Sequence, residues 1–162
     1  MELSILIVVV IVLITVVLGT KQYKQTKEAL NDGSIIKRDA DFIETTEKFT
    51  LQKVDFPAVI CALKETDFSK AGVSVKGSTQ EGAVNFSGSN WAARLVPLQS
   101  EADTYSYSFS FTKWQTYRGM PQNITAMNMT LTALEKMFLK LDPNTKVESW
   151  KNKTKTKPSF LS

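Results

Sequence analysis

The sequence contains no histidine, and Cys61 is its only cysteine among 162 residues. Without histidine there is no Ser-His-Asp triad, no Cys-His nucleophile and no histidine-ligated metal site. One thiol allows no intrachain disulfide and no CxxC pair, and it is compatible with a reducing compartment. We therefore expect a protein that is not an enzyme and that uses neither a cofactor nor a metal.

Charge is absent from the N-terminal segment, where no charged residue lies between Glu2 and Lys21. The apolar run from Leu3 to Leu18 is slightly short for a membrane-spanning helix, since roughly 20 residues cross the hydrocarbon core. Continuing the helix through Thr20 and Lys21, whose side chain can reach the membrane surface, closes the gap. A cleaved secretory signal would carry Lys or Arg before its apolar part, and Met1-Glu2 has none. The pattern predicts an uncleaved transmembrane helix over residues 1–20, which makes this a single-pass protein of the cell membrane.

Basic residues follow the apolar run at once, at Lys21, Lys24 and Lys27. The positive-inside rule places such a flank in the cytoplasm, so we expect the rest of the chain to be cytoplasmic; the opposite, extracytoplasmic orientation is the alternative. Residues 21–33 are good helix formers without an apolar stripe. They predict a polar helical stalk that stops at Asn31-Asp32-Gly33.

Residues 34–145 alternate between strand and helix patterns. The strict alternation over the eight residues from Tyr105 to Thr112 indicates that Tyr105–Trp114 is a strand buried on one side. The 3-4-3-4-3 spacing of apolar residues up to Leu141 indicates a final amphipathic helix, which begins either near Asn123 or at a capping box formed by Thr132. The other predicted elements are strands at Asp41–Leu51, Gly72–Lys76, Ala83–Ser87 and Trp91–Val96, and a helix at Phe56–Glu65 with Asp55 as its N-cap.

This order predicts an α+β fold, β-α-β-β-β-β-α, in which an antiparallel sheet of about five strands carries two helices on one face. Packing both helices on the aromatic side of the Tyr105–Trp114 strand is the simplest way to bury all three apolar faces. In element order the chain resembles the helix-grip and TATA-binding-protein-like layouts. The resemblance extends to no motif, so it implies a fold and not a function.

Four residues crowd the point where the best strand leaves the sheet, and they are Lys113, Trp114, Tyr117 and Arg118. Trp, Tyr and Arg are the residue types that most often anchor protein interfaces. We interpret this group as a candidate partner-binding site. The alternative interpretation is that Trp114 covers the edge of the core while the charges are solvated.

The last segment, residues 146–162, is rich in lysine, and we predict a basic, disordered tail. Basic side chains are attracted to anionic lipid near a membrane surface. The candidates for such contact, before and after the folded domain, are Lys21, Lys24, Lys27, Lys151, Lys153, Lys155 and Lys157.

Together these features predict a membrane-anchored protein whose α+β domain is a binding module for a protein partner of unknown identity. Anionic lipid is a further possible partner. A first alternative is a lipid-binding or small hydrophobic ligand-binding domain with a cavity between the sheet and the C-terminal helix. A second is nucleic-acid binding through the basic tail, which the small net charge of +4 makes the weakest of the three.

Overall fold

The computed structural model describes residue 24, residues 26–101 and residues 103–152. The chain divides into two compact units, and the boundary along the sequence lies between Lys37 and Arg38. The predicted transmembrane helix over residues 1–20 lies outside the described residues. Within the described part of the chain, no helix combines the length and the hydrophobicity that a membrane span needs.

In the first unit, residues 26–31 are helical and fall within the predicted stalk, residues 21–33. Gly33 ends the helix with a left-handed backbone, φ +71°. The chain then turns back, because the Ile35 N–H donates to the Ala29 carbonyl at 3.1 Å. Glycine after the last helical turn is a common C-cap, since this conformation costs glycine no steric strain.

The second unit is a mixed α+β domain built on a six-stranded antiparallel sheet. The order of the strands is β2-β3-β4-β5-β1-β8, so β4 and β5 are central, β1 lies between β5 and β8, and β2 and β8 are the edges. The six strands are β1 (Thr45–Gln52), β2 (Ser74–Ser78), β3 (Ala83–Ser87), β4 (Trp91–Pro97), β5 (Thr104–Trp114) and β8 (Lys146–Lys151). A separate two-stranded hairpin, β6 (Thr116–Tyr117) and β7 (Met120–Pro121), follows β5.

Two α-helices complete the domain, α1 (Phe56–Glu65) and α2 (Ile124–Leu141). The α1 bounds agree with the prediction, and Asp55 caps the helix by accepting the Ala58 N–H at 3.0 Å. Of the two predicted starts for α2, the earlier is correct. Thr132 caps nothing, since its hydroxyl donates to the Asn128 side chain inside the helix at 3.1 Å.

Helix α2 ends at Leu141, the last residue of the predicted apolar spacing, and Asp142 follows as its C-cap. Its carboxylate accepts the Gln52 N–H at 2.8 Å and the Asn144 N–H at 2.9 Å. These two backbone hydrogen bonds hold the pKa of Asp142 below its usual value. The same side chain therefore ends the helix and ties it to the end of β1.

Both helices pack on one face of the sheet, which we call the inner face. Tyr107, Phe109 and Phe111 of β5 point into this layer and are almost fully buried. The Phe138 ring of α2 stacks on Phe49 of β1 at a centroid distance of 4.5 Å and on Tyr107 at 5.6 Å. One of the alternative functions predicted a ligand cavity between the sheet and the C-terminal helix. Aromatic rings fill that space.

The start of the domain differs from the prediction. The predicted strand Asp41–Leu51 begins only at Thr45, and a 3-10 helix occupies Ala40–Glu44. Phe42 and Ile43 are neighbours in sequence and both are buried. A strand would turn one of them outwards, whereas a helical turn lets both side chains face the core.

The second strand also lies two residues further along the chain than the predicted Gly72–Lys76. Gly72 ends a short 3-10 helix, Ser69–Ala71, with φ +58°. Gly77 belongs to this strand. Glycine suits the position because the backbone of β3 comes too close for a side chain. A Cβ atom there would lie 2.5 Å from the Ala83 carbonyl oxygen.

The prediction of a disordered tail from residue 146 is wrong for Lys146–Lys151, which forms the edge strand β8. It pairs antiparallel with β1, from Thr45 opposite Lys151 to Thr50 opposite Lys146. All six residues of β8 are exposed, so the strand needs few apolar residues and its composition resembles that of a tail. Residues 153–162 lie outside the described residues.

Replacing Phe138 with alanine is expected to destabilise the protein by about 3–5 kcal/mol, because the side chain is fully buried between two strands and its loss leaves a cavity. The measurement is denaturant unfolding of the full chain. Leu139→Ala is the matched control, since its side chain is 46% exposed and should cost less than about 1 kcal/mol. Similar losses for both variants would contradict the packing described here.

Candidate partner-binding site

The β6–β7 hairpin is joined by a two-residue turn, Arg118-Gly119. Both residues have left-handed backbones, φ +50° at Arg118 and φ +79° at Gly119, as a type I′ turn requires. Glycine adopts this conformation freely, but for arginine it costs roughly 1–2 kcal/mol. Strain at a non-glycine residue often accompanies a functional role.

A network of amide groups holds the base of the hairpin against the turn between β3 and β4. The Gln115 N–H donates to the Asn90 carbonyl at 3.0 Å, and the Gln122 N–H donates to the Gln115 carbonyl at 2.8 Å. The Asn90 side chain donates to the Gln122 side-chain oxygen at 2.7 Å, and the Asn123 amide donates to Ser89 at 3.0 Å. The hairpin is therefore fixed to the sheet before any partner binds.

The tip of the hairpin exposes large apolar side chains. Tyr117 is 62% exposed and Met120 is 71% exposed, the two highest values among the exposed large hydrophobic residues. The Arg118 guanidinium lies 5.4 Å from the centroid of the Tyr117 ring, within the range of a cation–π contact. A tyrosine, an arginine and a methionine thus share one small, rigid, solvent-exposed surface, which we call the hairpin tip.

Of the four residues predicted for partner binding, Tyr117 and Arg118 lie on the hairpin tip. Lys113 is exposed near the end of β5. Trp114 lies opposite Trp91 and packs against the core, as the alternative interpretation expected. Sequence reasoning missed Met120. The signal for it was the glycine at 119, which marks a tight hairpin that brings residues 117 and 120 together.

The hairpin projects from the end of the sheet at which the domain begins. Thr45, the first residue of β1, lies opposite Lys151, the last of β8, and the β5 strand beside them ends at Trp114. The start of β1, the end of β8 and the hairpin therefore share one end of the sheet. The segment that leads to the domain from residue 38 arrives at this same end.

The lysines predicted to contact lipid have different environments. Lys24 and Lys27 are exposed, and the Lys24 ammonium lies 3.9 Å from the Glu28 carboxylate. Lys151 is paired with Asp41 at 2.7 Å; this hydrogen bond lowers the pKa of Asp41 and raises that of Lys151. The four others, Lys21, Lys153, Lys155 and Lys157, lie outside the described residues, as does most of the tail proposed for nucleic-acid binding.

A second candidate site is a cluster of charges buried between β1 and α2. The Arg38 guanidinium donates to the Asn128 side chain at 3.2 Å, lies 3.6 Å from the Glu47 carboxylate, and is paired with Glu135. Desolvation, reinforced by the neighbouring Glu135 carboxylate, raises the pKa of Glu47 to about 7, although Arg38 opposes this. One Glu47 oxygen is buried without a hydrogen-bond partner. These residues form the kind of ion-pair network that stabilises a fold. None of them is a nucleophile.

A pocket of about 320 Å³ lies between the C-terminal half of α1 and the β2 edge of the sheet. Its walls are mainly aliphatic and aromatic, and Lys64 is its only charged lining residue. Cys61, on the same helix, is exposed. Within the part of the chain that the structure describes, no group of three or more potential protein ligands could hold a metal ion.

No protein-family model matches the chain, and no curated protein matches it at a significant level. The function must therefore be argued from the site itself.

Arg118→Gly is expected to stabilise the folded protein by about 0.5–1 kcal/mol, because glycine removes the left-handed strain at the cost of some chain entropy. Denaturant unfolding measures the change. Lys113→Gly is the control, because β5 is extended at this position and glycine should weaken the strand. A loss of stability in Arg118→Gly as large as in the control would contradict the turn geometry.

The buried cluster predicts a specific dependence of stability on pH. Because the pKa of Glu47 is about 7 in the folded state and 4.5 as a reference, the folded protein binds more protons between these values. The stability that Glu47 gains by binding this proton is fully present below pH 4.5, and it is lost as the pH rises through about 7. Glu47→Gln should remove this slope from the free energy of unfolding. An unchanged slope in the variant would contradict the assignment.

Proposed function

We propose that this protein is a single-pass membrane-anchored binding module and that it contacts a partner protein through the hairpin tip. The observation that carries the proposal is the exposure of Tyr117 and Met120 on a turn whose base is fixed by amide hydrogen bonds. Absence of histidine favours binding over catalysis as the role of the domain.

The hairpin tip suits protein recognition for energetic reasons. Tyrosine and arginine are enriched among the residues that contribute most to interface affinity, and methionine adapts to irregular surfaces. A hairpin that is already ordered loses little conformational entropy on binding. The strained backbone of Arg118 supports the same interpretation, because a glycine would serve the turn better.

The anchor is the predicted helix over residues 1–20, and the lysines after it favour a cytoplasmic domain. The chain joins the domain at the end of the sheet that carries the hairpin. A partner embedded in or bound to the same membrane would therefore meet the tip after a search in two dimensions, which raises its effective concentration.

The orientation can be tested with a reporter that is active only outside the membrane, fused after Ser162. We expect the fusion to be silent and a cytoplasmic reporter at the same position to be active. The opposite pair of results would place the domain outside and overturn the cytoplasmic orientation.

The second candidate function is binding of a small hydrophobic ligand, and the pocket beside β2 favours it. The aromatic stack of Phe138 on Phe49 occupies the space between the sheet and α2, so a ligand would bind at the β2 edge. Its volume of about 320 Å³ lies at the lower limit for ligand pockets.

Photo-crosslinking in native membranes tests the proposed function. A benzophenone side chain at position 117 of the full chain is expected to form a discrete adduct with one protein, while the same group at Leu139, an exposed residue of α2, is not. Met120→Ser should weaken the interaction by about thirtyfold, the effect of losing roughly 2 kcal/mol at an interface hot spot. Identical adducts from both positions would overturn the proposal.

A further inference from the structure

We propose that the face of the sheet opposite the helices, the outer face, docks on an anionic phospholipid bilayer. This inference rests on the proposed membrane anchor but concerns a different surface from the hairpin tip. None of the helices that the structure describes in the second unit covers this face, because α1, α2 and both 3-10 helices pack on the inner face.

The register of the strands defines which residues share the outer face. Side chains directly opposite each other on neighbouring strands point to the same side. One row crosses all six strands of the sheet and consists of Lys76, Asn85, Arg94, Ser110, Thr46 and Trp150. Other rows of the same face contribute Lys48, Lys113 and Lys146.

The outer face is strongly basic. It carries a single carboxylate, Glu148, which lies 3.5 Å from the Lys48 ammonium. Five cations share the face with it, and they are Lys48, Lys76, Arg94, Lys113 and Lys146. Apart from Lys48, these cations form no ion pair with any residue that the structure describes. The face therefore attracts anions without first having to break internal contacts.

Small hydroxyl side chains fill the space between the cations. Ser106, Ser108 and Ser110 of β5 lie on the outer face, and the Thr50 and Ser106 hydroxyls are 3.1 Å apart. These residues are short, whereas the lysine and arginine side chains beside them are long. Trp150, 45% exposed, lies on the edge strand of the same face, and tryptophan is enriched where proteins meet lipid headgroups.

A bilayer fits this surface better than other polyanions do. Phospholipid headgroups move laterally, so they can match cations at any spacing, and basic residues near an anionic surface are attracted to it. A single-stranded nucleic acid would need several aromatic side chains for base stacking, and the described outer face has one, Trp150. The anchor would also keep the domain near the membrane, so that weak attraction suffices.

The test uses the full chain reconstituted in phosphatidylcholine vesicles with and without phosphatidylglycerol. In a Cys61→Ser background, a fluorophore is attached at Ser108→Cys on the outer face or at Lys140→Cys on α2 as the control. Lipids with nitroxide headgroups quench fluorophores that approach the surface. We expect quenching at position 108 to rise several-fold with phosphatidylglycerol and to fall in high salt, and quenching at position 140 to stay unchanged.

Charge variants make the test specific to the face. Lys76→Gln with Arg94→Gln should abolish the response of the label at position 108. The control variant, Lys64→Gln with Lys140→Gln, removes the same amount of positive charge away from the outer face. It should leave the response of the label at position 108 unchanged. Equal losses in both double variants, or a label that responds to neither lipid nor salt, would overturn the proposal.

Two further results separate this proposal from its alternatives. Release of the protein from vesicles by alkaline carbonate would overturn the anchor and the docking together, whereas retention with an unquenched label at position 108 would overturn the docking alone. A response to soluble polyuridylate or polyglutamate but not to phosphatidylglycerol would assign the face to a soluble polyanion and overturn the bilayer proposal.

Discussion

The contact on which the domain depends is the stacking of Phe138 between Phe49 and Tyr107. It joins α2 to two neighbouring interior strands, β1 and β5, which are far apart in sequence. Once α2 is held across these strands, the chain between the end of β5 and the start of α2 has to bridge a fixed gap. That bridge is the β6–β7 hairpin, so the position of the hairpin tip follows from the packing of the core.

The two faces of the sheet have opposite chemistry. The inner face is apolar except where Arg38, Glu47 and Glu135 meet, and burying these charges is tolerable because they neutralise one another in part. The outer face is rich in hydroxyl groups and basic. A domain that needed this face only for solubility would mix both signs of charge, as most protein surfaces do. The imbalance is the reason for proposing a function there.

Much of the fold could be predicted from sequence, because α1 and β5 have strong local patterns. In α1 the apolar residues recur every three or four positions, and in β5 they alternate with polar residues. Both patterns indicate which side of the element faces the core. The edge strand β8 could not be predicted, since all its residues are exposed and only its pairing with β1 makes it a strand. For the site, residue types indicated Tyr117 and Arg118. The role of Met120 depends on a turn geometry that composition alone does not fix, and the outer face depends on strand register.

The central claim is that the hairpin tip is ordered in the free protein and so is ready to bind. Amide hydrogen exchange tests it most directly, because the Gln115 and Gln122 N–H groups form the two backbone bonds at the base of the hairpin. The account predicts that both amides in the full chain without partner are protected to a similar extent as amides of β5. Exchange of these two amides at the rate of an unstructured peptide, with β5 still protected, would contradict it.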